Sequence, residues 1–108
     1  KDPIISGALN VYPAEDEAAI EALPGVAECA AIGIPHDDFG EGVVAVVVAR
    51  PGASLTEGAV IGQLADSLAR FKQPKRLIVL DELPRNAMGK IRKEVLRQQF
   101  ADCFAAPG

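Results

Sequence analysis

Residues 84–90, with the sequence Pro-Arg-Asn-Ala-Met-Gly-Lys, hold the side chain in this 108-residue chain that is best placed to do chemistry. They follow an apolar run and precede an amphipathic segment. Gly89 can adopt backbone angles that other residues resist, so the segment can turn sharply and hold Lys90 outward. A lysine ammonium has three donors on a flexible stem and suits carboxylate or phosphate oxygens. We therefore predict an exposed loop that presents Lys90 to an anion; the alternative is a solvated lysine at a helix start.

Basic residues are concentrated near the C-terminal end, although the net charge of the chain is −4. Residues 70–97 contain nine Lys or Arg and three Asp or Glu, a local charge of +6, so the remaining residues carry −10. A basic block on an acidic domain attracts anions. Its only aromatic residue is Phe71, so it lacks the aromatic side chains that stack on bases. We expect small phosphorylated ligands rather than nucleic acid, with a solvated helix face as the alternative.

The composition is that of an ordinary globular domain. Apolar residues make up 49% of the chain and charged residues 24%. No apolar stretch approaches the roughly 20 residues of a membrane span, so we expect no membrane association. Cys29 and Cys103 give neither a metal-binding spacing nor a disulfide framework, which predicts no metal site and a reduced, cytoplasmic setting. Because the first residue is Lys rather than Met, we expect residues 1–108 to be one domain of a longer polypeptide.

The apolar pattern predicts an α+β domain. Apolar runs predict strands at residues 4–6, 9–11, 26–34, 42–49 and 76–80. Helical spacing predicts helices at residues 13–23, from about 56 to 71, and 91–100. Gly7 suits the turn of a hairpin, and Ser54 or Thr56 is positioned to cap the second helix. The expected architecture is a small N-terminal β-hairpin followed by a three-stranded sheet packed with about three helices.

Several segments, in order along the whole chain, resemble one family. Residues 1–17 resemble the motif that opens the C-terminal domain of adenylate-forming enzymes: the acyl-CoA synthetases, the luciferases and the adenylation domains of peptide synthetases. Residues 84–90 resemble the last motif of that family, a proline-to-Gly-Lys loop with a catalytic lysine. Landmarks between them are similar at residues 23–26, 32–35, 39–41 and 71–75. Within the family, the segments most similar to malonyl-CoA synthetases are residues 10–13, 36–42 and 84–86.

The resemblance implies the mobile C-terminal lid domain of an ATP-dependent acid–CoA ligase. In such enzymes a carboxylate attacks ATP, with Mg present, to give an acyl-adenylate and pyrophosphate. The CoA thiol then attacks the adenylate to give a thioester and AMP. A large N-terminal domain holds most of the ATP and acyl sites, and the lid rotates to serve each half-reaction. The implied partners are that N-terminal domain, a small carboxylate, ATP and CoA, and the isolated lid should be inactive.

The resemblance also implies roles for single residues. Lys90, next to Gly89, matches the lysine that enters the active site during adenylation, where its charge can stabilise the transition state. Lys1 matches the hinge, which must absorb a large backbone change. Gly7 and Ala8 match a loop that borders the pantetheine tunnel of CoA, and the family commonly has glycine where Ala8 lies. Candidate contacts to the CoA phosphates are four basic residues, Arg70, Lys72, Lys75 and Arg76.

Other polar residues have simpler interpretations. Asp16 lies between two acids, where related sequences have an apolar residue, and we expect it to face solvent without a function. Glu15 and Glu17 suit the start of a helix, where acids interact favourably with the helix dipole. His36 is interpreted as a loop or interface residue, and Cys29 as a small core hydrophobe.

Two other functions remain open from the sequence. One is a regulatory or interaction module that presents Lys90 to a protein lysine acetyltransferase, since the resemblance implies regulation by acylation of the matching lysine. The other is a small basic domain that binds nucleic acid with strong salt dependence.

Overall fold

The computed structural model describes residues 3–7, 9–38 and 40–105, and five strands and three α-helices lie within these ranges. The strands are β1 (Ile4–Ser6), β2 (Leu9–Val11), β3 (Val26–His36), β4 (Gly40–Ala49) and β5 (Arg76–Leu80). The helices are α1 (Pro13–Glu21), α2 (Glu57–Gln63) and α3 (Lys93–Gln99), and two 3₁₀ turns cover Leu64–Asp66 and Arg70–Lys72. The predicted α+β class is confirmed.

Strand β4 is the centre of the sheet. Its valine-rich sequence suits a strand that is covered on both faces, and residues 42–47 are buried. Antiparallel β3 pairs along one edge of β4, and β5 pairs in parallel register from Val44↔Arg76 onward. The β1–β2 hairpin joins β4 through one pair, Ser6↔Gly40. The predicted hairpin and three-stranded sheet are therefore present and form one five-stranded sheet.

The two faces of β4 build two apolar clusters, because successive side chains of a strand point to opposite faces. Ala45 and Val47 pack in the first cluster with residues of α1, α2 and β5. Val44 and Val46 pack in the second cluster with Leu96 of α3. The second cluster therefore fixes α3, the helix that follows residues 84–90.

The second predicted helix is wrong in its C-terminal half. Helix α2 begins after Thr56, whose Oγ1 accepts a hydrogen bond from the Ala59 N–H at 3.3 Å, as one of the two predicted caps. It ends at Gln63, and the rest of the predicted helix contains the two 3₁₀ turns instead. Leu64 and Leu68 are nevertheless buried. Apolar spacing thus correctly predicted that Val60, Leu64 and Leu68 face the core, but Phe71, which the same spacing included, is exposed. The spacing also did not distinguish an α-helix from a series of tighter turns.

Phe104, which follows α3, packs its ring against Gly42 of β4. A Cβ atom on Gly42 would lie 2.6 Å from Cε2 of Phe104. The same ring contacts the imidazole of His36, with 4.9 Å between the ring centroids. The absence of a side chain at residue 42 thus lets the Phe104 ring pack on the β3–β4 pair.

Asp16 is fully buried, so the prediction that it faces solvent is wrong. It lies on the same face of α1 as Ile20, one turn later, which is also buried. Neither oxygen of its carboxyl has a hydrogen-bond partner among the described residues. Burial, reinforced by the neighbouring Glu15 carboxylate, raises the pKa of Asp16 to about 7, and Lys72 acts in the opposite direction. Position 16 therefore suits an apolar side chain better than an acid.

We expect Asp16→Asn to remove part of the pH dependence of stability. Between its ordinary pKa of 3.8 and about 7, the folded chain keeps a proton that the unfolded chain releases. The free energy of unfolding should thus fall as pH rises, by up to about 1.4 kcal/mol per pH unit, and level off above pH 7. Urea denaturation at pH 5, 6, 7 and 8 measures this. The free energy of unfolding of Asp16→Asn should increase relative to that of the wild type as pH rises. That of the control Asp66→Asn, at an exposed residue, should not. A pH-independent difference for Asp16→Asn would contradict the assignment.

We expect Gly42→Ala to lower the free energy of unfolding by about 1–3 kcal/mol, because the new methyl group would displace the Phe104 ring. Gly62→Ala in α2 is the matched control. No atom lies within 4 Å of its new Cβ, and alanine is the better helix former, so stability should rise by up to about 1 kcal/mol. Equal effects of the two changes in thermal or urea denaturation would show that the Phe104 contact does not matter.

Candidate functional site

Residues 84–90 form a closed loop between β5 and α3, here called the Lys90 loop. Backbone hydrogen bonds close it: the N–H of Arg92 donates to Pro84 O at 2.8 Å, and the N–H of Gly89 donates to Asn86 O at 3.0 Å. Gly89 has φ +84°, in the left-handed region that favours glycine, and a Cβ atom at this residue would have no neighbour within 4 Å. Glycine is therefore required at residue 89 for its backbone angle and not for lack of space.

The side chain of Asn86 lies inside this loop. Its Oδ1 accepts hydrogen bonds from the backbone N–H of Met88 at 2.9 Å and from that of Lys90 at 3.0 Å. The sequence interpretation missed this role. The signal was available, because asparagine commonly accepts a hydrogen bond from the backbone two residues later and so stabilises turns.

Arg85 connects the Lys90 loop to the sheet. Its Nη1 donates to Gly89 O at 2.6 Å, and its guanidinium forms an ion pair with Glu28 of β3. The sequence interpretation missed this contact as well, and no local pattern indicates it, because Glu28 is distant along the chain.

The side chain of Lys90 is exposed and makes no ion pair with the residues that the structure describes. It lines a groove of about 830 Å³ over the outer edge of β3. Three other basic side chains line the groove, namely Arg85, Lys93 and Arg97, together with the acids Glu17, Glu21, Glu41 and Glu94. Lys93 is paired with Glu17 at 2.6 Å. The ammonium of Lys90 is thus available to an anion that approaches from outside the domain.

Helix α1 covers the outer edge of β3 with carboxylates. Glu17 accepts a hydrogen bond from the Ala31 N–H at 2.9 Å, and Glu21 accepts one from the Cys29 N–H at 3.2 Å. Glu17 therefore does more than begin a helix, because its carboxylate also accepts a hydrogen bond from a backbone N–H on the edge strand β3. Burial raises the pKa of the Cys29 thiol, which agrees with its interpretation as a core residue.

The four basic residues considered for CoA do not line the groove of Lys90. Lys72 forms an ion pair with Glu15 at 3.0 Å and lies 5.6 Å from the centre of the Phe71 ring. Arg76 forms an ion pair with Glu57 at 2.9 Å. Both cations thus have carboxylate partners within the domain, which limits their attraction for a phosphate.

Three further candidate site residues belong to the N-terminal segment, and the structure describes one of them, Gly7. Gly7 is exposed, with φ 65°, and lines a shallow pocket with Asp38 and Gly40. Ala8 and Lys1 lie outside the described residues. Within the described ranges, His, Cys, Asp and Glu side chains do not gather in groups of three that could hold a metal ion. No helix in these ranges is both long and apolar enough to cross a membrane.

The comparisons with known proteins agree on one family. Residues 15–90 match the AMP-binding enzyme C-terminal domain. A 3-[(3aS,4S,7aS)-7a-methyl-1,5-dioxo-octahydro-1H-inden-4-yl]propanoyl:CoA ligase of Rhodococcus jostii is 50% identical over 99 residues, which are 92% of this chain and 19% of that protein. The long-chain-fatty-acid–CoA ligase FadD13 of Mycobacterium tuberculosis is 46% identical over 94% of this chain and 20% of its own. Apo MatB from Rhodopseudomonas palustris is 54% identical, with a TM-score of 0.93, over 96% of this chain and 21% of its own. The chain thus spans about a fifth of the length of its relatives.

Proposed function

The chain belongs to the AMP-binding enzyme C-terminal domain family, and we propose that it is the mobile lid of an ATP-dependent acid–CoA ligase. In the proposed reaction, a carboxylate attacks the α-phosphate of ATP to give an acyl-adenylate and pyrophosphate. The CoA thiol then attacks the acyl carbon to give the thioester and AMP. A large N-terminal domain supplies the remaining parts of both sites, and the lid alone is inactive.

The observation that carries this proposal is the exposed, unpaired ammonium of Lys90 at the end of a closed loop. The adenylation step brings a carboxylate and a polyphosphate together, and a fixed positive charge stabilises the charge that develops between them. Lys72 and Lys93 are held by carboxylates of the domain itself, whereas Lys90 has no such partner among the described residues. Of these three lysines, it is the one that can enter a second domain without breaking an ion pair.

ATP, CoA and Mg are the small molecules that the proposal requires. The Lys90 loop offers a cation for the phosphates or the carboxylate, which fits that part of the chemistry. The described residues offer no cluster of metal ligands, so we propose that Mg binds with ATP to the N-terminal domain. None of the three is held by this domain alone.

The CoA step is proposed to use a different part of the domain. Gly7 and Ala8 would border the pantetheine, and Lys72, Lys75 and Arg76 would face the CoA phosphates. This proposal is supported by the absence of Gly7, Lys72, Lys75 and Arg76 from the lining of the groove that Lys90 lines. To bind a phosphate, Lys72 and Arg76 would exchange their glutamate partners for it. Lys1 is proposed as the hinge about which the lid rotates between the two half-reactions.

Malonate is the carboxylate that we propose. The proposal is supported by the resemblance of residues 10–13, 36–42 and 84–86 to malonyl-CoA synthetases and by the likeness to MatB. Two relatives that are 46–50% identical are named for a polycyclic propanoate and for long-chain fatty acids. Lids of similar sequence thus serve chemically different acids, so we place the acid-binding pocket in the N-terminal domain.

The two other functions suggested by the sequence gain no support. No comparison points to a module that serves a protein lysine acetyltransferase. Nucleic-acid binding would need an uncompensated basic surface, but five of the nine cations of the basic block, at residues 72, 76, 85, 92 and 93, are paired with glutamates. A cytoplasmic location stays a prediction from the composition.

In the full-length protein that carries this chain, we expect Lys90→Ala to lower acyl-adenylate formation about 100-fold or more, because a transition-state charge contact is lost. Thioester formation from supplied acyl-adenylate and CoA should be spared. The two half-reactions are measured by pyrophosphate release and by thioester appearance. Arg92→Ala, which changes an exposed cation that does not line the groove and breaks only its ion pair with Glu94, should stay within about fivefold of the wild type in both. Equal loss of both half-reactions in Lys90→Ala would refute the proposed role.

A further inference from the structure

Asn86 binds both polar groups of the Lys90 backbone. Its Oδ1 accepts from the Lys90 N–H at 3.0 Å, and its own N–H donates to Lys90 O at 2.9 Å. The same Oδ1 also accepts from the Met88 N–H at 2.9 Å. The side chain and the backbone N–H of Asn86 therefore hold the N–H and the C=O of Lys90, and so restrain the position of the Lys90 Cα atom.

Apolar packing does not hold this loop. Residues 85–90 are all exposed, and Met88, the only large apolar side chain among them, is 93% exposed. Apolar packing resumes only at Ile91, which packs against the second cluster. Exposed loops without buried contacts open readily and sample many conformations. Polar contacts are therefore the restraints on residues 85–90.

Arg85 supplies a second restraint that ties the loop to the rigid part of the domain. It donates to Gly89 O at 2.6 Å, next to Lys90, and pairs with Glu28 on β3. Because β3 is hydrogen-bonded along its length to the buried strand β4, this ion pair restrains the orientation of the loop relative to the sheet.

We propose that Asn86, supported by Arg85, is a positioning residue for adenylation, an inference that rests on the proposed function of Lys90. Asn86 does not contact the reacting atoms. It holds the Lys90 backbone in place, so the ammonium reaches the carboxylate and phosphate without reorganisation of the loop. A charge that is already oriented contributes more to the transition state than one that must first be ordered.

The substitutions follow from the chemistry of the carboxamide. Asn86→Leu keeps the approximate size of the side chain but removes the acceptor oxygen. Asn86→Ala removes the acceptor oxygen and also shortens the side chain. Asn86→Asp keeps an oxygen that can accept both hydrogen bonds. Arg92→Ala is the matched control for Arg85→Ala, because Arg92 is an exposed neighbouring arginine whose side chain pairs only locally, with Glu94.

In the full-length protein, Asn86→Ala and Asn86→Leu should lower the maximal rate of adenylation about 10- to 100-fold, with little change in the KM for ATP. Thioester formation from supplied acyl-adenylate should not change. Asn86→Asp should recover most of the adenylation rate. Arg85→Ala should show the same separation of half-reactions to a smaller extent, and Arg92→Ala should not. Equal loss in both half-reactions, or no recovery in Asn86→Asp, would overturn the proposal.

A second readout does not depend on catalysis. In the 108-residue chain, amide hydrogen exchange at Met88 and Lys90 should be about tenfold faster in Asn86→Ala than in the wild type, while exchange at Val46 in β4 stays the same. Unchanged exchange at Met88 and Lys90 would overturn the proposal.

Lys90→Ala separates this inference from the proposed function. If that variant keeps full adenylation activity, the proposed function fails, and amide exchange still reports whether Asn86 holds the loop. If Lys90→Ala loses adenylation while Asn86→Ala and Asn86→Leu do not, only the positioning role is refuted.

Discussion

Strand β4 is buried on both faces and hydrogen-bonded on both edges, and the other elements are arranged around this constraint. The outer edges of β3 and β5 then carry N–H groups without strand partners, which in many proteins would invite pairing with another chain. Helical glutamates satisfy three of them. Glu17 and Glu21 of α1 bind the edge of β3, and Glu57 of α2 accepts from the Leu77 N–H at 2.8 Å on β5. That backbone hydrogen bond is the main cause of the lowered pKa of Glu57, and Arg76 adds to it.

The same sheet gives the functional loop a rigid base. The cluster that includes Val44, Val46 and Leu96 fixes α3, and the Arg85–Glu28 ion pair ties the loop to β3. The loop itself protrudes without apolar support, and polar contacts determine its conformation. This division suits the proposed entry of Lys90 into a second domain, because the core holds the base of the loop and its tip is already solvated.

The charges of the domain show a related division of roles. Most of the basic side chains discussed above are neutralised within the domain, whereas Lys90 is not paired with any described residue. Among the residues that the structure describes, Lys90 thus places an unpaired positive charge at the tip of a loop on an acidic domain. Relatives that are named for unlike acids share this domain, which fits the proposal that selectivity for the acid lies in another part of the enzyme.

Local patterns in the chain were enough to predict the α+β class, the hairpin at Gly7, the three longer strands and the exposed loop that carries Lys90. Such patterns include a run of β-branched residues and a glycine at a turn. The burial of Asp16, the end of α2 at Gln63 and the joining of the hairpin to the main sheet became visible only in the folded domain. So did the contacts of Arg85 with Glu28 and of Glu57 with Leu77. Burial and hydrogen bonding between distant segments depend on which surfaces meet after the chain folds, and no local pattern contains that information.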